Sequence, residues 1–553
     1  MPGSSEYDKG TASPVVAVRE GTEALFDGTA TLTVDGVVVL IPTPSVDPRD
    51  PLNLPWWRKV FLLIILTTYA VSGLALVTSL GALIVYMQED YIAAGVTPQQ
   101  LSNLFTYPNL FLGIGNIVSM PLAVSIGRRP VILGSTVMLF VSCVICATNT
   151  GYHSHLAGRM VAAFSAAQCQ ALVLLIIQDV FFLHQRARVI QCYSSAEITF
   201  NSALVIAASY MADSVGWRSA YWLFGALSCL SMVFTFLFVP ETFYERPIQA
   251  YMGNTPMDPS SQALETSTTT KPYHLPESAV EELHRSSSSS QCLTTADGRP
   301  LDLETFQPRT WKSDLTILTH KVRPSEFLRC LRQIGIVFLF PHVLWVAINN
   351  GIFQGIDVSI MMTYANVLTN PPYNWGNTTV SLIQLGQIAV AAMCLPLIGT
   401  MGDWFIRFVA RRNKGVHEPE YRLVTMILPL VMATILTVIY GYAIAEPGRF
   451  HWFAIVLTVN AYLFILLSAS TAGTTYVIDS HPKDAGAMLV VLPVTRGLVG
   501  FGVSFHTSDY LSSIGPVATF GIYAGISAVI GVLGVLLFWK GKKLRHFCAQ
   551  YAS

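Results

Sequence analysis

The chain is 553 residues long, 52% hydrophobic and 12% charged, with 33 basic side chains against 33 acidic ones. Soluble globular proteins carry about 25% charged residues, so this composition excludes a string of ordinary soluble domains. A balanced net charge leaves no basic footprint for a nucleic acid, and none is expected as a partner.

Residues 1–55 are polar and rich in Gly, Pro, Ser and Thr, which predicts a disordered cytosolic tail. The apolar patch at 37–41 is too short for a signal peptide and lacks a basic leader, so the first span is expected to act as an uncleaved signal. Apolar runs of ~20 residues follow, the length that crosses a bilayer. Six are predicted at 60–87, 101–125, 131–148, 156–182, 189–212 and 220–239. Six more are predicted at 334–359, 380–401, 423–445, 452–474, 487–505 and 517–539. The expected fold is an all-α membrane protein of 12 transmembrane helices, in six-helix bundles over 56–239 and 334–540. Residues 240–333 hold a Thr-rich patch and a serine run but no lasting apolar period, which predicts a largely disordered cytosolic linker. Residues 541–553 read as a short basic cytosolic tail.

Basic residues gather on alternate connections. One set holds Arg128, Arg129, Arg186, Arg188, the linker, Arg407, Arg411, Arg412, Lys414, Lys540, Lys542, Lys543 and Arg545; the other holds Arg218 and Arg449. Positive loops stay inside, so both termini are expected in the cytosol. The sequon Asn377-Thr-Thr379 falls on a predicted outer loop, where Asn377 is a candidate for glycosylation. The nine cysteines show no metal-like spacing, and no metal is expected.

Several strings carry a family likeness. Asp47-Pro-Arg-Asp-Pro-Leu-Asn53 followed by Trp57-Arg58-Lys59 leads into the first span, and Pro240-Glu-Thr-Phe-Tyr-Glu-Arg246 ends the sixth. Pro371-Pro-Tyr-Asn374, Ala410-Arg-Arg-Asn413, Glu418-Pro-Glu-Tyr-Arg422 and Tyr476-Val-Ile-Asp479 follow in the second half. In this order and spacing they resemble the major facilitator superfamily, and within it the fungal drug:proton antiporters and the polyamine-histidinol permease subgroup. The resemblance implies the major facilitator fold, with a central cavity served by alternating access. It also implies a small-molecule substrate, protons as a second partner, no cofactor, a monomer and a plasma-membrane location.

The family's loop after helix two carries an aspartate that joins a charge network latching the helices. Gly127, Arg128 and Arg129 match that motif here, but Val124 stands at the aspartate position and Ser125 at that of the next arginine. The loop after the eighth span keeps Gly399 and Asp403, so a latch is expected there. In helix five Leu204-Val205 replaces the Gly-Pro pair of many fungal antiporters, and Ala485-Gly486-Ala487 stands where relatives carry Ala-Gly-Glu.

An ionised side chain near the bilayer centre costs ~2.5–3.5 kcal/mol on insertion scales, so such residues mark a cavity or a partner. Arg159 matches the family's helix-four arginine, implying contact with substrate or with a proton-carrying carboxylate; the alternative is a side chain snorkelling to the surface. Glu197, with Asn201 one turn on, is a candidate proton carrier or else a partner of Arg186 or Arg188. Asn350, Gln354 and Asp357, spaced i, i+4, i+7, share a face of helix seven; they point to the cavity or to helix packing, with Asp357 near the outer end of the predicted span. Arg496 reads as a counter-charge across the cavity or a structural pair within its own bundle. Gln168, Gln384, Gln387 and Asn460 are further lining candidates. Asp179 is expected to pair with the adjacent basic loop, and His153 and His155 to be solvated beside an outer loop rather than catalytic.

With no Walker loop, ATP-driven transport within this chain is not expected, and no nucleophile constellation points to an enzyme. The leading expectation is a secondary transporter exporting a toxin or secondary metabolite made by a biosynthetic gene cluster. The alternatives are an importer of polyamine-like cations and a non-transporting nutrient sensor.

Overall fold

The computed structural model describes residues 33–34, 37–38, 42–246, 250, 295, 299, 301–302, 306–318, 322–394, 397, 420–480 and 485–549. Among these, 12 helical spans are long and apolar enough to cross a membrane. The first half comprises α1 (Trp56–Thr78), α2 (Leu80–Ala93), α3 (Pro98–Ile126), α4 (Arg128–Ala147), α5 (Tyr152–Ala166), α6 (Leu172–Val180), α7 (Leu183–Val215) and α8 (Arg218–Phe238). Helix α9 (Pro324–Val337) precedes the second half. That half comprises α10 (Pro341–Thr369), α11 (Asn377–Ser381), α12 (Gln384–Cys394), α13 (Ile427–Ala445), α14 (Phe453–Ser480), α15 (Ala485–Phe505), α16 (Thr507–Ser513) and α17 (Gly515–Ala549). The end of the molecule where α1 begins is called the near end below.

Local chemistry sets the breaks. Thr97 and Gln100 form a reciprocal capping box that starts α3 with Pro98 at its first turn. Gly127 turns the chain from α3 into α4 at φ +108°, a conformation open to glycine. Each half buries its own apolar core, and Met120 of α3 joins the core of the second half. The halves meet most closely where α3 crosses α15. A Cβ on Gly497 would lie 2.6 Å from the Asn109 carbonyl oxygen, and one on Gly113 3.1 Å from that of Val494. The two backbones therefore touch with no side chain between them.

Three expectations are corrected. The seventh span is Pro341–Thr369, not 334–359. The chain breaks at Phe340–Pro341, where proline opens a new helix, and Ile334 belongs to the separate helix α9. Asp357 consequently lies mid-span rather than near an end. Residues 42–54, expected within a disordered tail, pack onto the near end of the first half. Asp50 and Arg246 form a buried ion pair at 2.8 Å, and Lys59 donates to the Leu52 carbonyl at 2.9 Å. Composition misled here, because Asp47 and Asp50 spend their polarity on internal turns rather than on water. Finally, α17 runs on to Ala549 through most of the expected basic tail. Gly399, Asp403 and most of the linker lie outside the described residues.

Candidate functional site

A cavity of about 360 Å³ lies between the halves. It is lined from α7 by Tyr193, Glu197 and Asn201, from α10 by Asn350, Gln354 and Asp357, and from α15 by Arg496. Thr78, Asn109, Gln384, Gln387, Ser470 and Thr474 add polar groups among leucines. Residues four apart on a helix share a face, so Tyr193, Glu197 and Asn201 form one stripe. Thr78 donates to the Asn201 amide oxygen at 3.3 Å, tying the end of α1 to this stripe.

Helix α10 is oriented by its glycines. Cβ atoms on Gly351 and Gly355 would each come within 2.5 Å of a valine of α15, Val499 and Val503. Only glycine permits that approach, and it turns Asn350, Gln354 and Asp357 toward the cavity. Asn350 donates back to the Val346 carbonyl at 3.0 Å, while its buried amide oxygen has no hydrogen-bond partner among the described residues. Asp357 therefore lines the cavity rather than lying near an outer surface.

Glu197 of α7 and Arg496 of α15 come from different halves and interact electrostatically across this space. No ion pair within 4.0 Å joins them among the described residues. The alternative partners of Glu197 are otherwise engaged or remote: Arg186 donates to the Phe181 carbonyl at 3.0 Å and the Gln178 carbonyl at 2.7 Å, and Arg188 is exposed. Asp357 makes no hydrogen bond or ion pair with a described residue. The cavity thus holds two carboxyls and one guanidinium with coordination capacity to spare.

Arg159 does not line the cavity, and it does not snorkel. It is buried and donates to three backbone carbonyls: Leu104 at 3.0 Å, Leu76 at 3.0 Å and Val77 at 2.8 Å. Each of these carbonyls lacks a helical donor for a reason legible in the chain. Pro108 has no N–H to give Leu104 four residues back. Leu76 and Val77 sit in the last turn of α1, which ends at Thr78. One guanidinium, with donors fanned in a plane, collects all three.

His155 is likewise buried rather than solvated. Its Nδ1 lies 2.9 Å from the Tyr91 hydroxyl and its Nε2 2.8 Å from that of Tyr221. Trp217 packs against the ring and donates to Asp90 at 3.0 Å. His153, two residues earlier, is exposed as expected. Two residues apart on a helix, about 200° round its axis, the two histidines point to opposite faces.

At the near end, the Gly127–Arg128–Arg129 turn is held by an acid from elsewhere. The Glu241 carboxylate accepts the backbone N–H of Arg128 at 3.0 Å and of Arg129 at 3.2 Å, at the positive end of α4. A Cβ on Gly127 would lie 2.4 Å from that carboxylate. Asp179 pairs with Arg128 at 3.3 Å, across from the loop after α3 rather than only with its own neighbours. With Val124 at the aspartate position, Glu241 and Asp179 supply the negative charge at this turn, while Arg129 Nε and Nη1 are buried with no hydrogen-bond partner among the described residues. Of the remaining candidates, Gln384 and Gln387 line the cavity. Gln168 accepts from Tyr69 at 3.3 Å, and Asn460 packs against Gly386. Tyr193 and Asn109 were missed; the i−4 step from Glu197 marks Tyr193.

Two membrane-spanning halves that enclose a polar-lined cavity define a solute transporter. The chain belongs to the Major Facilitator Superfamily, whose family model matches residues 61–504. It is similar to fungal transporters of this superfamily. An uncharacterised MFS-type transporter of Schizosaccharomyces pombe is 23% identical over 94% of this chain and 90% of its own length. Protein HOL1 of Saccharomyces cerevisiae is 23% identical over 93% of this chain and 91% of its own. The efflux pump vrtL of Penicillium aethiopicum is 28% identical over 38% of this chain and 42% of its own. A crystal structure of a mutant peptide transporter POT shares the fold, with a TM-score of 0.54 at 11% identity, covering 94% of this chain and 99% of that one.

Proposed function

We propose that this transporter moves a small amine-bearing organic molecule by alternating access, coupled to protons, and that it exports that molecule across the plasma membrane. One observation carries the reading: Glu197 and Arg496 face each other across the cavity from opposite halves without closing an ion pair. An ionised Glu197 attracts Arg496 and draws the halves together, and a protonated one releases that attraction. A proton then has different affinities for two arrangements of the halves, which is what coupling requires. Asp357, with no hydrogen bond or ion pair to a described residue, supplies the acceptor for an ammonium group. Likeness to an efflux pump supports export. The second reading, uptake of polyamine-like cations, is favoured by two lining carboxyls against one guanidinium. We place both termini in the cytosol and a glycan at Asn377, the chain acting as a monomer. We also read Gly127, Arg128 and Arg129 with Glu241 as the conformational latch of the first half, and assign the corresponding role in the second half to Gly399 and Asp403.

Purified protein in vesicles with an imposed pH gradient tests the coupling. Wild type is expected to concentrate a tritiated amine solute against its gradient. Glu197→Gln should lose uphill movement by 100-fold or more, yet keep solute exchange at equal pH, because binding and rocking remain. If Glu197→Gln still responds to the pH gradient, Glu197 is not the coupling group.

A further inference from the structure

Helix α9 has two faces, and the fold uses one. Cys330, Ile334 and Val337 are buried, and the helix rests on α3 of the first half and α15 of the second. Just before it, the Arg323 N–H donates to the Ser125 carbonyl at the end of α3, at 3.1 Å. The opposite face is open. Leu328 is 65% exposed, and Leu331, Arg329 and Arg332 are exposed beside it. At about 100° per residue, Leu328 and Leu331 form one edge of this face and Arg329 and Arg332 the other. Arg329 makes a loose surface pairing with Glu326, at 3.8 Å.

This open face continues the lipid-facing surface. Ile317, Leu318 and Val322 are exposed ahead of α9, and Leu339 behind it is 78% exposed where the chain enters the span at Pro341. Trp311 donates to the Leu237 carbonyl at the end of α8, at 3.3 Å. Trp56 and Trp57 are exposed at the start of α1. Tryptophans at span ends mark the headgroup layer, which sets the depth of this region. A helix with leucines on one edge and arginines on the other has the composition of one lying in that layer.

We propose that α9 lies in the headgroup layer of the near-end leaflet and binds anionic phospholipid through Arg329 and Arg332, with Leu328 and Leu331 among the upper acyl carbons. The buried face of α9 touches both halves, so a lipid held on its outer face sits on the element that bridges them. Leaflet charge then becomes an input to the balance between the two arrangements of the transporter, separate from substrate and proton.

The full chain in nanodiscs of neutral phosphatidylcholine, with or without 30% phosphatidylserine, provides the test. A photoreactive Leu328→p-benzoylphenylalanine substitution is expected to give phospholipid adducts on irradiation; crosslinks in native membranes that go to another protein, or none to lipid, overturn the placement. Amide exchange in α9 reads the charge. At roughly fivefold per arginine near an anionic surface, wild-type α9 should exchange on the order of 25-fold more slowly in serine-containing discs. The double variant Arg329→Gln, Arg332→Gln should lose that difference while exchange in α10 stays unchanged, which verifies folding. Equal exchange of wild-type α9 in the two lipids overturns the anionic preference.

Discussion

The two halves treat their charges in opposite ways. In the first half, Arg159 and Arg186 are consumed by backbone carbonyls, and Asp50 and Asp179 by arginines. In the second half, Asp357 and Arg496 line the cavity, and neither closes an ion pair within 4.0 Å with a described residue. Glu197 is the exception in the first half and faces the same space. A buried charge saturated by fixed groups is architecture, since nothing is left with which to meet a ligand. A charge left open in the cavity between two halves keeps the capacity to meet a ligand.

Removing members of each class should separate stability from transport. Arg159→Met has the largest expected effect on stability. It orphans three backbone carbonyls, and leaving a buried acceptor unsatisfied costs about 1–3 kcal/mol each. Thermal unfolding in detergent should show a large loss; Arg159→Lys should recover little, because an ammonium cannot match a planar fork. Unaltered melting of Arg159→Met would put Arg159 back among the ligand groups. Asp357→Asn should do the reverse. It removes an unpartnered charge, so melting should hold or rise, while affinity for an amine solute falls about 10- to 100-fold, or roughly 1.4–2.7 kcal/mol. A neutral solute should be unaffected, and equal losses for both solutes would make Asp357 structural. His155→Phe has the smallest effect. It keeps ring packing against Trp217 but strands two tyrosine hydroxyls, at about 1–3 kcal/mol of stability, with exchange activity per folded molecule unchanged.

The sequence reached the architecture because hydropathy and loop charge are properties of whole segments. Twelve spans in two groups of six followed from that level, and the central cavity from the family resemblance. It did not reach the role of Arg159, because the evidence lies in residues far along the chain: a proline in α3 and a helix end in α1. Family likeness drew attention to the residue and its alternatives missed backbone carbonyls altogether. Asp357 was misplaced for a more local reason. The apolar residues 334–340 extend the hydropathy signal across Pro341, so the expected span of 334–359 starts ahead of Pro341 and stops short of Thr369. Periodicity did find the polar stripe of α10, since its spacing survives a shift in boundaries. Glu197 and Arg496 were each singled out as charges in apolar helices, but their mutual relation needed the two halves to be assembled.

The contact between Gly113 and Gly497 bears on how readily the halves separate. Where side chains interdigitate, parting two surfaces frees rotamers and closing them freezes rotamers, so each swing carries a large entropy change. Backbone resting on backbone has no rotamers to freeze. The enthalpy given up on opening is dispersion between a few atoms, each pair about 0.1–0.2 kcal/mol. A hinge region of this kind lets the open and closed arrangements stay close in free energy. A ligand shifts an equilibrium only by its difference in affinity for the two states, and a near-level balance is the one that a single proton or a single small solute is able to tip.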